Sequence, residues 1–140
     1  MSGKSFLDSN IFIYTYDNRE PIKQSIADNL VRSLVIEGEA VISYQVIQEF
    51  FNWALVKGPV KMPLDEAQRF LTTTFRPLMV VPSSFALVSD AIRIQERYRL
   101  SWYDSLIVSA AQQAGCHTLY SEDLQHGQQF DAVTVRDPFR

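Results

Sequence analysis

Five short apolar runs divide the chain and are the first feature of its hydrophobic pattern. Each is bounded by polar or turn residues, and together they cover residues 4–7, 40–43, 78–81, 118–120 and 132–135. Because apolar and polar residues do not alternate within these runs, they are typical of strands that are covered on both faces. The pattern therefore predicts five buried β-strands.

The longer segments between these runs carry apolar residues at helical spacing. They predict five helices, over residues 21–36, 44–57, 63–75, 84–98 and 101–114. In the first helix Ile22, Ile26 and Leu30 recur every four residues, and Leu34 continues this apolar stripe. Strands that alternate with helices imply right-handed crossovers. We therefore predict an α/β fold, an α/β/α sandwich around a mainly parallel central sheet.

Composition limits the class of protein. The chain has 140 residues, of which 46% are hydrophobic and 21% charged, which is typical of a globular domain and excludes disordered and collagen-like chains. No Gly/Ser-rich or Pro-rich linker divides residues 1–140, so we predict a single domain. The formal net charge of -3 argues against binding nucleic acid through overall positive charge, but it leaves room for a local basic surface.

The first residues and the single cysteine bear on the compartment. Cys116 has no second cysteine with which to form an internal disulfide, so a reducing compartment fits. The first residues lack the long apolar stretch of a signal peptide, and the apolar run at 77–82 is too short to cross a bilayer. We expect a cytoplasmic protein.

Four carboxylates occupy corresponding places in the predicted elements. Asp8 directly follows the first strand and Asp123 comes just after the fourth, whereas Glu49 and Asp104 lie in the first two turns of helices. Ligands of parallel sheets gather at the carboxyl ends of the strands, so we expect the four acids to meet there. Taken singly, Asp104 has an alternative explanation in the helix dipole, Glu49 in a solvated helix face and Asp123 in a turn. Asp8 differs, because its apolar flanks predict burial, and a buried carboxylate needs a hydrogen-bonding or charged partner.

Clustered carboxylates repel one another, and a divalent cation removes that conflict. Oxygen ligands without a Cys pair or a zinc-binding helix favour Mg²⁺ or Mn²⁺ over Zn²⁺. Such an ion activates water and stabilises a leaving oxygen, which suits hydrolysis of phosphodiester bonds. Asn10, Ser43 and Ser121 are candidates to orient the carboxylates, with helix capping as the alternative role, above all for Ser43.

The segments that carry these acids resemble a known family. FLDSNIFIY, ISYQVIQEFFN, YDSLIVSAAQQAGC and LYSEDLQHGQQF are similar, in that order, to the four acidic motifs of PIN-domain ribonucleases, and in particular of VapC-type toxins. The resemblance implies an Mg²⁺- or Mn²⁺-dependent endoribonuclease, frequent homodimers and neutralisation by a cognate antitoxin.

The resemblance also implies site residues. The catalytic and metal-binding positions correspond to Asp8, Glu49, Asp104 and Asp123, and the accompanying polar positions to Asn10 and Ser121. Glu122 is also acidic, so the identity of the fourth carboxylate is open, although the family's spacing from the serine favours Asp123. A catalytically silent PIN-like scaffold that binds RNA or a protein is the alternative function.

An RNA substrate requires a local basic surface because the chain as a whole is acidic. Arg93 and Arg97, one helical turn apart and followed by Arg99, are candidates to grip the RNA backbone near the scissile phosphate, as are Lys57 and Lys61. Ordinary solvated surface is the alternative interpretation of both pairs.

Other residues near the motifs have open roles. Trp102 and Tyr103, beside Asp104, are either base-stacking or core residues, and His126 is either a proton shuttle or structural. Residues 53–75 form either a clamp for a partner helix or a plain helical hairpin.

Overall fold

A computed structural model describes residues 3–140 and shows one six-stranded sheet. The strands are β1 (Ser5–Leu7), β2 (Ala40–Ser43), β3 (Met79–Val81), β4 (Thr118–Tyr120), β5 (Gln129–Phe130) and β6 (Val133–Arg136). Their order across the sheet is β3-β2-β1-β4-β6-β5. Every neighbouring pair is parallel except β5 and β6, which are antiparallel. β1 therefore lies inside the sheet, between β2 and β4.

In residues 3–140, six α-helices connect the strands. They are α1 (Ser9–Tyr16), α2 (Pro21–Glu37), α3 (Tyr44–Asn52), α4 (Leu64–Phe70), α5 (Phe85–Tyr98) and α6 (Trp102–Gln113). Both α3 and α4 continue into a π-helical turn, at Trp53–Lys57 and Leu71–Phe75 respectively. The predicted α/β fold with its mainly parallel sheet is confirmed. Within residues 3–140, no helix combines the length and apolar character needed to span a membrane.

Helix α1 was not predicted from the hydrophobic pattern. Ile11 and Phe12 are fully buried, and the next two residues are half-buried, so the helix lacks a clear polar face. A helix that is enclosed on most sides shows little amphipathic periodicity. The prediction failed here because the pattern depends on a solvent-exposed face.

The apolar stripe predicted for α2 is wrong at its first residue, because Ile22 is 76% exposed. Residues four apart lie about 40° apart around an α-helix, so the direction of Ile22 differs by about 120° from that of Leu34. Leu34 is buried, together with Ala27. The helix therefore packs through its middle and its carboxyl-terminal half.

Strand β5 was also missed. It pairs with β6 through a tight turn in which Asp131 adopts a φ of 55°, a conformation that Asp tolerates better than most residues. The strand has only two residues, and Gln129 is polar. No apolar run marks so short a strand.

An aromatic cluster joins α3 to the segment that follows α4. The ring of Phe50 stacks on Phe70 with centroids 4.5 Å apart and meets Phe75 at 5.4 Å. Phe75 in turn contacts Phe12 of α1 at 4.9 Å. Because Phe50 directly follows Glu49, this cluster fixes the helix that carries one of the four acids.

Replacing Phe50 with Ala should lower the free energy of unfolding by about 3–5 kcal/mol, because it leaves a cavity in this cluster. Ile22→Ala is the matched control, and its effect should stay within about 0.5 kcal/mol because the side chain is exposed. Urea denaturation measures both values. Equal losses for the two variants would contradict the packing described here.

Candidate active site

Asp8 lies at the junction of β1 and α1. Its backbone N–H donates to the carbonyl of Tyr120 at 3.0 Å, which extends the pairing of β1 with β4 by one residue. Its carboxylate caps α1 by accepting the N–H of Ser9 at 2.7 Å. The residue is only 3% exposed. The backbone on both sides therefore holds one carboxylate at the carboxyl edge of the sheet.

Two serines connect Asp8 to other acidic residues. The hydroxyl of Ser9 donates to Oε1 of Glu49 at 3.0 Å. The hydroxyl of Ser121 donates to Oδ2 of Asp8 at 2.7 Å and accepts the N–H of Asp123 at 3.1 Å. Asp8, Glu49 and Asp123 thus belong to one hydrogen-bonded network, although they come from distant parts of the chain.

The fourth acid, Asp104, lies in the first turn of α6, where its N–H donates to the capping hydroxyl of Ser101 at 3.1 Å. Gln45 connects this turn to α3. Its Nε2 donates to Oε2 of Glu49 at 3.2 Å and to the carbonyl of Tyr103 at 3.1 Å. The amino-terminal parts of α3 and α6 therefore lie side by side at the same edge.

The environment of Asp8 disfavours its charged form. Burial raises the pKa of Asp8 to about 7, and repulsion from the charges of Glu49 and Asp123 adds to this effect. The hydrogen bonds from Ser121 and Ser9 act in the opposite direction. Burial dominates, so Asp8 in the metal-free site stays protonated up to about pH 7.

Asp104 shows the same tendency more weakly. Burial raises its pKa above the ordinary value, the hydrogen bond with Ser101 opposes the change, and repulsion from Asp123 adds to it. Asp123 therefore interacts electrostatically with both Asp8 and Asp104. Negative charge is concentrated at this edge.

The four acids suit a hard divalent cation by donor type, because all of their ligand atoms are carboxylate oxygens. The amide oxygen and nitrogen of Asn10 are buried without a hydrogen-bond partner in the described part of the chain, so both are available to a polar ligand. Within residues 3–140, however, no three His, Cys, Asp or Glu side chains are close enough to hold a metal as they stand. The residues fit such an ion but do not form a finished ligand shell.

Glu122 is engaged elsewhere. Its carboxylate accepts hydrogen bonds from Lys23 Nζ at 2.5 Å and from the hydroxyl of Tyr14 at 2.7 Å. Burial opposes ionisation of Glu122, but these two bonds outweigh it and hold its pKa below the usual range. Lys23 also lies over the rings of Tyr14 and Phe139, at 4.8 and 5.5 Å. This cluster ties the loop that carries Asp123 to α1 and α2.

The two candidate arginines lie in a different place from the acids. Arg93 pairs with an aspartate of its own helix, and Arg97 Nη1 is 3.9 Å from Asp131. Both line a cavity with Gln112, at the carboxyl end of α6. Asp104 is eight residues earlier in that helix, about 12 Å along its axis. The structure does not bring Arg93 and Arg97 to the carboxyl edge of the sheet, where the four acids lie (the acidic edge).

The other residues considered from the sequence, His126, Trp102, Tyr103 and Ser43, differ in burial and in hydrogen bonding. Nδ1 of His126 accepts the N–H of Asp137 at 3.0 Å, which is a structural contact. Trp102 is half-buried, whereas Tyr103 is 63% exposed. Ser43 occupies the N-cap position of α3, but its hydroxyl makes no capping hydrogen bond in residues 3–140.

Three polar residues near the acids were not singled out from the sequence. Gln45 precedes Glu49 by one helical turn, a spacing that identifies contacts on one helix face. Ser9 follows Asp8 directly, but its role depends on α1, which the pattern did not reveal. Lys23 and Glu122 are 99 positions apart, and no local signal connects them.

The fold and the site together define an α/β protein with acidic side chains at the carboxyl edge of a parallel sheet. Comparison with known families identifies the family. The family model described as the PIN domain matches residues 5–130. The chain therefore belongs to the PIN domain family, which confirms the resemblance seen in its four motifs. No curated protein sequence matches the chain significantly.

Solved structures share this fold at low sequence identity. A toxin-antitoxin complex from Klebsiella pneumoniae is 18% identical, with a TM-score of 0.70 over 96% of this chain and 98% of that one. FitAB bound to an IR36 DNA fragment is 17% identical, with a TM-score of 0.76 over 97% and 96%. VapBC2 from Rickettsia felis, bound to a promoter DNA fragment, is 17% identical, with a TM-score of 0.67 over 94% and 96%.

Replacing Asp8 with Asn should stabilise the metal-free protein at pH 8. Between about pH 4 and 7 folded Asp8 keeps its proton while the unfolded chain loses it, so the free energy of unfolding falls as the pH rises. Asn removes this loss, which amounts to at most about 4 kcal/mol, and the advantage should shrink towards pH 4. Denaturant unfolding in EDTA at both pH values measures the difference.

Asp65→Asn is the control for this prediction, because Asp65 is exposed on α4. Its effect should not follow the pH dependence expected for Asp8→Asn. If the wild-type protein were as stable at pH 8 as the Asp8→Asn variant, burial would not destabilise the ionised carboxylate of Asp8.

Proposed function

We propose that this PIN domain is an Mg²⁺- or Mn²⁺-dependent endoribonuclease and the toxin component of a toxin-antitoxin pair. The observation that carries the proposal is the buried carboxylate of Asp8, hydrogen-bonded through Ser9 and Ser121 into a network with two further acids. So much negative charge at one edge is unfavourable alone and suits a cation. The PIN domain family is generally one of nucleases.

The proposed ligands of the ion are Asp8, Glu49, Asp104 and Asp123. When bound, such an ion supplies an activated water and stabilises negative charge on the leaving oxygen of a phosphodiester. In this proposal the chain's own contribution is to hold the acids in place. Ser9 and Gln45 fix Glu49 through its two carboxylate oxygens.

The polar residues beside the acids complete the proposed site. Ser121 fixes both Asp8 and the loop of Asp123. Asn10 keeps an unpartnered amide for a water or a substrate atom. A catalytically silent scaffold would have no need for these four acids, so we place that function second.

RNA is the proposed substrate, and the cytoplasm is the proposed compartment, in keeping with the free and buried thiol of Cys116. Arg93 and Arg97 would contact the RNA backbone away from the scissile phosphate, because they lie at the other end of α6 from Asp104. Contacts of this kind add affinity through phosphate charge without reading the sequence.

An antitoxin is the proposed protein partner. One of the three structural neighbours is by its name a toxin-antitoxin complex, and the other two are named as FitAB and VapBC2 bound to DNA fragments. In this chain the hairpin of α3 and α4 exposes Val56, Val60 and Leu64. A cavity of about 330 Å³ beside Val60 is lined by Trp53 and Arg19. Exposed apolar residues around such a cavity suit the apolar face of a partner helix.

A homodimer is the proposed oligomeric state. Phe85 is 95% exposed at the start of α5, and Ile92, two turns later on the same face, is also exposed. Met79 of the edge strand β3 is exposed as well. Large apolar side chains exposed along one helix face are typical of an interface.

Purified protein freed of any partner should cleave RNA with Mg²⁺ or Mn²⁺ and should not do so in EDTA. Asp8→Asn and Asp104→Asn should each reduce the rate by at least about a hundredfold, the usual effect of removing one charge-stabilising group. The measurement is the initial rate of product formation, resolved by denaturing electrophoresis. Asp65→Asn, on the surface of α4, should retain full activity.

Charge reversal at Arg93 and Arg97 should raise KM for RNA and leave kcat nearly unchanged, because these residues lie away from the acids.

Folded, partner-free protein that produces no cleavage in either metal would reject the nuclease function. It would favour the binding scaffold instead.

The two partner surfaces can be separated with one pair of variants. Phe85→Glu should convert a dimer to a monomer in light scattering, because it places a charge in the proposed α5 interface. Val60→Glu should leave the dimer intact and weaken binding of the proposed antitoxin partner. The opposite pattern, or no effect of either change, would show that the surfaces are wrongly assigned.

A further inference from the structure

A small cavity opens beside the acidic edge, between the ends of β2 and β3 and the helices α5 and α6. Its volume is about 180 Å³, and its walls include Ser43, Val81, Leu87, Leu106 and Tyr103. Pockets for drug-sized ligands start at about 300 Å³, so this cavity suits a single ring system.

The cavity is continuous with the acidic network through two residues. Gln45 lines the cavity and also donates to Glu49. Tyr103 lines it too, accepts the second hydrogen bond of Gln45 through its carbonyl, and directly precedes Asp104. A group bound here would therefore lie next to whatever the acids act on.

The chemistry of the walls selects an uncharged ligand. Every residue that lines the cavity in the described part of the chain is uncharged, so nothing there attracts a phosphate. Val81, Leu87 and Leu106 provide apolar walls. The occupant should be flat, mostly apolar and uncharged.

Polar groups on the same walls have unused hydrogen-bonding capacity. Ser43 is 5% exposed, and its hydroxyl has no partner within residues 3–140. Both hydrogen bonds of Gln45 use Nε2, which leaves its Oε1 to accept another. Unpaired buried polar groups are costly, and a ligand with donors and acceptors on its edge relieves that cost.

Tyr103 adds an exposed aromatic ring. Its side chain is 63% exposed although it borders an apolar cavity. Aromatic rings in this position stack on unpaired bases, which is how proteins recognise single-stranded RNA.

We propose that this cavity is a base-binding subsite, in which one unpaired base of the RNA next to the scissile bond stacks on Tyr103 and contacts Ser43 and Gln45. The inference rests on the proposed nuclease function and deepens it. The base is held by uncharged groups while the adjoining phosphate lies at the acids. The subsite makes the enzyme selective for the base at one position beside the cut.

The test is cleavage of short single-stranded RNAs that differ only in the bases flanking one cleavable bond. Wild-type protein should prefer one base at one position by about tenfold, because only a base with matching donors and acceptors pairs with both Ser43 and Gln45 while it stacks on Tyr103. Tyr103→Ala should abolish this preference, and Tyr103→Phe should retain it because the ring remains. Tyr44→Ala is the matched control, since Tyr44 is exposed nearby but does not line the cavity.

A second measurement separates this inference from the nuclease function. Asp104→Asn protein in EDTA is titrated with fluorescent tetranucleotide RNAs of the four bases, with and without Tyr103→Ala. Base-dependent binding that requires Tyr103 supports the subsite even if no RNA is cleaved. Cleavage or binding whose base preference survives Tyr103→Ala overturns it.

The remaining alternative is that a second copy of this chain fills the cavity. In that case Tyr103→Ala would change the oligomeric state in sedimentation and leave the base preference unchanged. That result also overturns the proposal. The base preference, rather than the overall rate, is decisive because general damage to the fold lowers all four rates together.

Discussion

The burial of one carboxylate, that of Asp8, is the constraint on which the rest of the site depends. A carboxylate removed from water is costly unless hydrogen bonds or opposite charge compensate it. Here the N–H of Ser9 at the start of α1 and the hydroxyl of Ser121 donate to its two oxygens, while its own backbone N–H pairs with Tyr120 and fixes its position. The same contacts carry the network on to Glu49 and Asp123.

The compensation is incomplete, and this has a chemical consequence. Burial and repulsion still outweigh the hydrogen bonds at Asp8, and Asp104 is perturbed in the same direction. Glu122, in contrast, has its own cation in Lys23. Within residues 3–140, the acid beside the site is paired with a lysine, whereas the acids of the site form no salt bridge. Carboxylates with perturbed pKa values of this kind cluster at functional sites.

Much of this arrangement follows from the sequence, because strand ends and helix starts place residues at one edge of a parallel sheet. This rule predicted that Asp8, Glu49, Asp104 and Asp123 meet at that edge, and the family's motif spacing favoured Asp123 over Glu122. Two errors in the predicted helices have physical causes. Helix α1 was missed because it is enclosed and lacks amphipathic periodicity, and Ile22 was assigned to the packed stripe of α2 although it lies off the packed face. The contact of Lys23 with Glu122, and the distance of the arginines from the acids, arise only from the tertiary fold.

The most direct test of the central claim is a titration of the protein with Mn²⁺, followed by electron paramagnetic resonance of the free ion. The account predicts saturable binding at the acidic edge, greatly weakened by Asp8→Asn and by Asp104→Asn but unchanged by Glu122→Gln. Absence of binding, or binding that all three variants retain, would contradict a metal centre built from these acids.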